Sequence, residues 1–504
     1  MADSDAPATN QDGDFSNVLQ GKLSTEDGGS EITDVAKVKG DVAEATELEY
    51  NDNFSVDQAY ALRQSLTESR FLRKLKFSRT PLRVIKVAFE NLHEDTSLEE
   101  LELFCIDSGG QGFSLNLPGI FRKLRSLRVH STYTGDSFAK EVAVFLRGND
   151  SLQDLSLWLN DISDEGAVAI AEALAANTTL KTLNLLDNNL TSKTVVAFAD
   201  MVTVNSTLKL AELFEVDLEL KDIHALFEQD RYAHVFERIY ILWKQEFLPY
   251  LTKLLLEDRH CSDVAVDVTS SVPKYVLRNF FNAVAQNKTV RMLHFYPSGD
   301  TFDVLIDGLV HVVKVTKTLT HVENLMTVDR SESLVRVLNA LKSNHSVTTF
   351  SMYAYLLTPD IAQALSELLL VNSTLTDVAV CEYRWITSED LSVILKGLRE
   401  NFTLTGLIVS GHLEDDVEGV TEMEQLLKRN ARVLEKAAEF VVRDGQFSDD
   451  DKDGYHEGAE SLKKVFSSAG LLEVLEKRTG KNRETLRSDV ERMHSSVLKS
   501  FVQA

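Results

Sequence analysis

Residues 149–176 read NDSLQDLSLWLNDISDEGAVAIAEALAA, and residues 177–204 read NTTLKTLNLLDNNLTSKTVVAFADMVTV. Laid one on the other, they share one pattern. Leu152, Leu155, Leu157, Asn160 and Ile162 in the first match Leu180, Leu183, Leu185, Asn188 and Leu190 in the second. The alternating apolar pair spells a short strand, because successive strand side chains point to opposite faces. Ile170 and Leu174, four apart, share one face of a helix. Each unit is therefore a strand followed by a helix. Such a unit is too small to bury its apolar face alone, so copies must stack.

The first anchor of the pattern recurs at Leu72, Leu98, Leu124, Leu152, Leu180, Leu208, Phe236, Val264, Val290, Leu319, Val347, Leu375 and Leu404, at spacings of 26–29 residues. Around Val264 the register stays open, since Cys261, Val264 and Val266 fit the template equally well. A period of this length with L-x-x-L-x-L-x-x-N resembles the leucine-rich repeat of the ribonuclease-inhibitor type. That subclass also forms the sensor arm of NLR proteins and occurs in Ran GTPase-activating proteins and tropomodulins. The N-x-T-L phase and the tail beginning RNARVLEKAAEFV resemble the repeat-only proteins of arthropods named NLR family CARD domain-containing. No CARD or nucleotide-binding NACHT segment is recognisable.

The fold class read here is α/β: a leucine-rich-repeat solenoid, or horseshoe. Parallel strands line its concave face and helices its convex face. Three segments are expected: an acidic disordered segment over 1–56, about thirteen repeats over 57–429, and a helical cap over 430–504. Residues 1–50 hold twelve acids against three lysines and little apolar surface to offset the entropy of ordering. In the tail, ARVLEKAAEFVV, AESLKKVFSSAGLLEVLEKR and NRETLRSDVERMHSSVLKSF read as three helices. The repeat asparagines at 160 and 188 should turn their amides inward onto the strand-to-helix loop. Tyr355, Tyr383 and His412 replace them later in the chain, so the later loops should be less regular.

Across 504 residues the net charge is −25, which argues against general nucleic-acid and anionic-membrane binding. Three widely spaced cysteines make no disulfide framework. With no secretory leader pattern and no long apolar run, the chain reads as cytoplasmic. Nine Asn-x-Ser/Thr sequons occur. Seven stand three residues before an anchor, where asparagine suits a helix end in the left-handed conformation. A structural role is therefore expected for them.

The sequence offers little chemistry. It contains no P-loop, no G-x-S-x-G and no H-E-x-x-H motif. His260-Cys261 near Asp263 is a weak metal or nucleophile candidate, read as structural. Asp449, Asp451, Asp453, Gly454 and Glu460 match the calcium-loop pattern. The match is single, has His456 where an aliphatic residue is usual, and follows Gly445, so an acidic turn between cap helices fits better. Seven basic residues over 70–86, with Arg122, Lys123, Arg125 and Arg128, form either a solvated face or a patch for acidic chains, the protein's own tail included.

The inner face is more informative. The position after the third anchor carries Phe104, His130, Trp158, Phe214, Tyr296 and Tyr353, and the adjacent stripe carries Glu102, Arg128, Ser156, Asn184, Glu212, Tyr240, His294, Glu323 and Ser351. Exposed aromatics beside polar groups are the make-up of a protein interface. The expectation is a non-enzymatic scaffold that binds another protein through Phe104, His130, Trp158, Phe214, Tyr240, Tyr296 and Tyr353. No cofactor, metal, nucleic acid, membrane or small-molecule substrate is called for. The alternatives are a regulator of an enzyme, of the GTPase-activating or ubiquitin-ligase-adaptor kind, and a cytoskeletal module of tropomodulin type.

Overall fold

The computed structural model describes residues 45–488 apart from short stretches, the longest being 91–96 and 444–451. The strands are β1 Glu47–Tyr50, β2 Lys74–Ser78, β3 Glu100–Phe104, β4 Ser126–His130, β5 Asp154–Ser156, β6 Thr182–Asn184, β7 Leu210–Phe214 and β8 Ile239–Lys244. They continue as β9 Asp263–Thr269, β10 Met292–Ser298, β11 His321–Val328, β12 Thr349–Ala354, β13 Asp377–Cys381, β14 Trp385–Ile386, β15 Gly406–Ile408 and β16 His412–Leu413. Strands β1 to β13 and β15 pair in chain order as one open parallel sheet, while β14 and β16 pair separately.

Helices alternate with these strands: α1 Val56–Glu68, α2 Leu82–Phe89, α3 Gly135–Gly148, α4 Asp164–Leu174, α5 Ser192–Val204 and α6 Leu220–Phe227. Then come α7 Leu248–Leu256, α8 Lys274–Gln286, α9 Phe302–Val315, α10 Ser331–Leu341, α11 Pro359–Val371 and α12 Ser388–Glu400. The architecture is a leucine-rich-repeat solenoid. Neighbouring strands stand ~4.8 Å apart and packed helices ~8–10 Å apart, so one-to-one stacking bends the array with its sheet on the inside.

Pairing fixes the register. Leu75, Leu101, Leu127, Leu155, Leu183 and Ala211 stand level across β2 to β7. All thirteen expected anchors are buried, from Leu72 at 0% to Leu404 at 0% exposure. One register is corrected: Val264 stands opposite Leu293, the second anchor of its unit, so Cys261 is the first anchor there. The pairing of β7 with β8 is also irregular. The register slips between Glu212 and Phe214, and Phe214 takes φ 49. From there β8 meets β9 through Leu242, Trp243 and Lys244.

The array also begins earlier than expected. Leu48 pairs with Leu75 and Tyr50 with Phe77, so part of the segment expected to be disordered is an edge strand. Tyr50 packs on Phe54 and Phe77, at 4.1 and 5.6 Å between ring centroids. Residues 1–44 lie outside the described residues.

Three ladders of polar side chains run along the array. Asn188 Oδ1 accepts from the backbone N–H of Asn160 and Ile162, both at 3.0 Å, and its Nδ2 donates to Leu157 O at 2.9 Å. Asn160 does the same one unit earlier, toward Thr132 N and Val129 O. Tyr355, Tyr383 and the side chain of His412 lie outside the described residues. At the helix starts, Asp136 accepts from Ser163 and Asp164 from Thr191 and Thr194.

The third ladder explains the sequons. Asn177, Asn205, Asn287, Asn344, Asn372 and Asn401 are 3–6% exposed. Asn205 Oδ1 accepts from Thr207 N and Leu208 N, both at 2.8 Å, and its Nδ2 donates to Leu174 O and Asn177 O in the preceding unit. The left-handed conformation expected for these residues is corrected: Asn205, Asn287, Asn372 and Asn401 are extended, at φ −90, −65, −89 and −88. The amide side chain, rather than a turn of the backbone, satisfies the groups that a helix end leaves open.

Beyond the repeats, α13 Val417–Val442 runs from the main core into a second one. Met423 belongs to the first core. Val433, Leu434, Phe440 and Val441 form the second with α14 Lys452–Phe466, α15 Ala469–Thr479 and Leu486. The expected middle helix of the tail is two helices, because Ser468 breaks it and caps α15 by accepting from Leu471 N at 3.1 Å.

Candidate functional site

Alternation along the strands puts Leu101, Leu103, Ala211, Leu213, Leu293 and Phe295 into the core, so their neighbours face the open side of the sheet. In the first half of that face, opposite charges stand beside one another. Lys74 pairs with Glu47 at 3.0 Å and reaches Glu102 at 3.7 Å; Lys76 pairs with Glu49 at 2.9 Å, and Arg128 with Glu102 at 2.6 Å. Arg73 and Arg125 share Glu99. Much of the basic cluster in the sequence is thus neutralised by acids of adjacent strands.

The aromatic positions fall into groups. His130 and Trp158 meet edge to face at 5.6 Å, with Trp158 Nε1 donating to Asp187 Oδ2 at 2.6 Å and His130 Nε2 bonded to Ser156 Oγ at 2.8 Å. Phe214 contacts Tyr240 at 5.7 Å and Tyr296 at 5.5 Å, joining β7, β8 and β10 in one cluster. The register slip between Glu212 and Phe214 falls at this junction. Phe104 stands at the other end of the row, 40% exposed. Tyr353 is corrected as a surface residue: it is 6% exposed and offers little to a partner.

Around the central cluster lies a row that reading one column of the repeat overlooked. The position before the second anchor carries Asp263, His321 and Asp377, level with Met292 and Thr349. The same period-two alternation that exposes Glu212 and His294 exposes these, and placing Val264 as a first anchor hid Asp263. Burial, then the neighbouring Asp263, pushes the Glu212 carboxyl up. Burial likewise raises Asp263, against the pull of His294 and His321, and raises Asp377, against a hydrogen bond from Thr376. His294 Nδ1 stands 3.0 Å from Glu323 Oε2. Burial lowers His321, as does Lys477 of α15. Among the described residues, no lysine or arginine forms an ion pair with Glu212, Asp263 or Asp377.

The other candidates resolve structurally. His260 is buried, accepts from Trp243 Nε1 at 3.0 Å and turns Nδ1 to Cys261 O at 3.1 Å; burial takes its pKa down to about 4. Burial pushes the Cys261 thiol up to about 12, so it supplies no thiolate. The calcium-loop candidate is corrected. Lys452 to Glu460 belong to α14, so Asp453, Gly454 and Glu460 sit on a helix where the pattern needs a loop turning at Gly454. Glu460 pairs with Lys463 at 2.6 Å. Asp449 and Asp451 lie outside the described residues. Among the described residues no cluster suited to a metal occurs, and no helix is long and apolar enough to cross a membrane.

The repeat profile described as Leucine Rich repeat matches residues 148–171 and 176–199. Human leiomodin-2 is 34% identical over 127 residues, which is 25% of this chain and 22% of that protein. The chain thus matches about a fifth of the length of this curated relative. Among solved structures, the actin-binding site 2 of leiomodin-1 is similar at 18% identity, covering 39% of this chain and 95% of that one with a TM-score of 0.25. The tropomodulin C-terminal domain of Caenorhabditis elegans is similar at 17% identity, covering 37% and 95%, with a TM-score of 0.23. Fold, register and repeat profile agree that this chain is built of leucine-rich repeats.

Proposed function

We propose that the chain is a non-enzymatic intracellular scaffold that holds another protein against the inner face of its sheet. The observation that carries this reading is the contact cluster of Phe214, Tyr240 and Tyr296. Three large rings from three strands stand part-exposed on the inner side of the sheet, bordered by carboxylates and histidines. A rigid preformed surface of this kind loses little entropy on binding. His130 and Trp158 extend it toward the first half, and the cap after Asn430 closes the far end of the array. The ribonuclease-inhibitor-type and NLR-like resemblance fits the same role, that of a sensor arm.

The test is affinity purification from native cells with the Phe214→Ala/Tyr240→Ala double variant as control. Loss of the captured protein, with the melting temperature held, is expected. Capture that is indifferent to the double variant would overturn the reading. The 34% identity to leiomodin-2 favours a second reading, a cytoskeletal module of tropomodulin type. Co-sedimentation with filamentous actin tests it, and absence from the pellet at saturating actin removes it.

A further inference from the structure

The two halves of the inner face differ in how they handle charge. From β1 to β4 the acids are matched by lysine and arginine on the next strand. From β7 onward Glu212, Asp263 and Asp377 have no such match among the described residues, although their burial makes a bare charge costly. Glu212 and Asp263 fall on β7 and β9, and Asp377 on β13 in the row of Asp263; on β11 that row holds His321, and Glu323, two residues further along, is already paired with His294. Glu212 and Asp263 thus stand on strands about 9.6 Å apart, twice the spacing between neighbouring strands.

Tyr240 lies between these two strands on β8, and Tyr296 on β10, next to β9. A second, independent observation lies on β12. Ser351 stands level with Glu323, on the inner side, while Phe350 and Met352 enter the core. It is 1% exposed, and its Oγ has no hydrogen-bond partner. Buried hydroxyls are ordinarily satisfied.

We propose that the segment held on this face carries arginine or lysine, its cations seated at Glu212 and Asp263 and its stems over Phe214, Tyr240 and Tyr296. The inference rests on the inner-face reading above and adds the chemistry of the partner. Arginine fits best, since a guanidinium both pairs with carboxylates and stacks on an aromatic ring. An extended chain rises ~3.3 Å per residue, so a basic residue at every third position repeats at ~10 Å, close to the spacing of the acids.

The experiment is fluorescence anisotropy of the full chain with a labelled peptide of repeated Arg-Ala-Ser triplets, beside its Glu-Ala-Ser counterpart and a peptide of the same arginine content with the arginines clustered. The triplet arginine peptide is expected to bind best and to weaken with salt. Glu212→Gln/Asp263→Asn should weaken it about tenfold, because the charges removed are the ones it contacts. Glu332→Gln/Glu389→Gln makes the same change of charge on the helical side and should shift affinity less than about twofold, the response of a screened field. If both double variants weaken binding alike, or the glutamate peptide binds as well, the inference is overturned. Both variants are checked by melting temperature, which Glu212→Gln/Asp263→Asn should hold or raise. Capture of the native partner that depends on Phe214 and Tyr240 but not on Glu212 and Asp263 would overturn the basic-segment inference and leave the inner-face reading standing. Arginine-peptide binding with capture indifferent to the aromatics does the reverse.

Discussion

The array contains two kinds of repeat. In the units of β5 and β6 the strands are three residues long, and Asn160, Asn188, Asp136 and Asp164 tie each loop to the next. In β9, β10 and β11 the strands are seven, seven and eight residues long, and the register shifts again between β11 and β12. The short-strand units spend their polar groups on one another. The long-strand units present theirs to the open face. The turn asparagines run through both, from Asn177 to Asn401, so stacking is common to the two kinds and only the loop ladder separates them.

That comparison can be broken at its strongest point. Asn188→Ala removes a side chain that accepts twice and whose amide N–H groups serve the carbonyls of Leu157, Leu185 and Leu186, leaving buried backbone groups unpaired. A loss of about 3 kcal/mol is expected from denaturant unfolding, the size that unsatisfied buried groups impose. Hydrogen exchange should speed up over 157–190 and leave β10 to β13 unchanged. Asn372→Ala, in the shared ladder, should cost about 2 kcal/mol by the same logic. If Asn188→Ala is nearly neutral, the loop ladder is not what makes the short-strand units regular.

A smaller effect probes the slip between the two kinds. Phe214 holds φ 49, where a residue with a Cβ is strained. Phe214→Gly should therefore be more stable than Phe214→Ala by about 1 kcal/mol, while both lose the aromatic cluster. Equal stabilities would mean that the slip relaxes when the ring is removed.

These tests also separate what the sequence discloses from what it hides. The anchors are legible because each apolar side chain recurs at one period and all thirteen are buried. The turn asparagines are legible as structural, yet not their conformation, since left-handed and extended asparagine both end a helix. Cys261 and Val264 are indistinguishable in sequence because both are apolar candidates for the same anchor, and the pairing of Val264 with Leu293 decides between them. Phe214 and Tyr296 are legible as one column and Tyr240 as part of the adjacent stripe, while their contact across β7, β8 and β10 is seen only in the structure. Asp263 and Asp377 are visible as acids. Their lack of a lysine or arginine ion pair among the described residues depends on which strands lie beside them, and periodicity alone does not record that.

The smallest effects compare the charges of the two halves directly. Glu212, Asp263 and Asp377 have carboxyl pKa values raised in the folded state, chiefly by burial. A raised folded value means that the folded chain takes up a proton before the unfolded chain does. Stability contributed by these groups is therefore lowest at neutral pH and rises as pH falls from the raised folded values toward ~4, the ordinary carboxylate range. Asp263→Asn/Asp377→Asn should melt about 1–3 °C higher than the natural chain at neutral pH, with the gap closing by pH ~4. His130, His260 and His321 respond oppositely, being lowered, so they cost stability as pH falls below ~6.5. Taking the difference between variant and natural chain cancels them where the histidines keep their surroundings, as His130 and His260 do. In the first half, a double-mutant cycle on Lys76 and Glu49, a part-exposed pair at 2.9 Å, should give a coupling of only about 0.5 kcal/mol, reduced by salt. A pair energy well above that would mean that the matched half is held together by its charges, and the contrast with the unmatched half would then be one of stability and not of recognition.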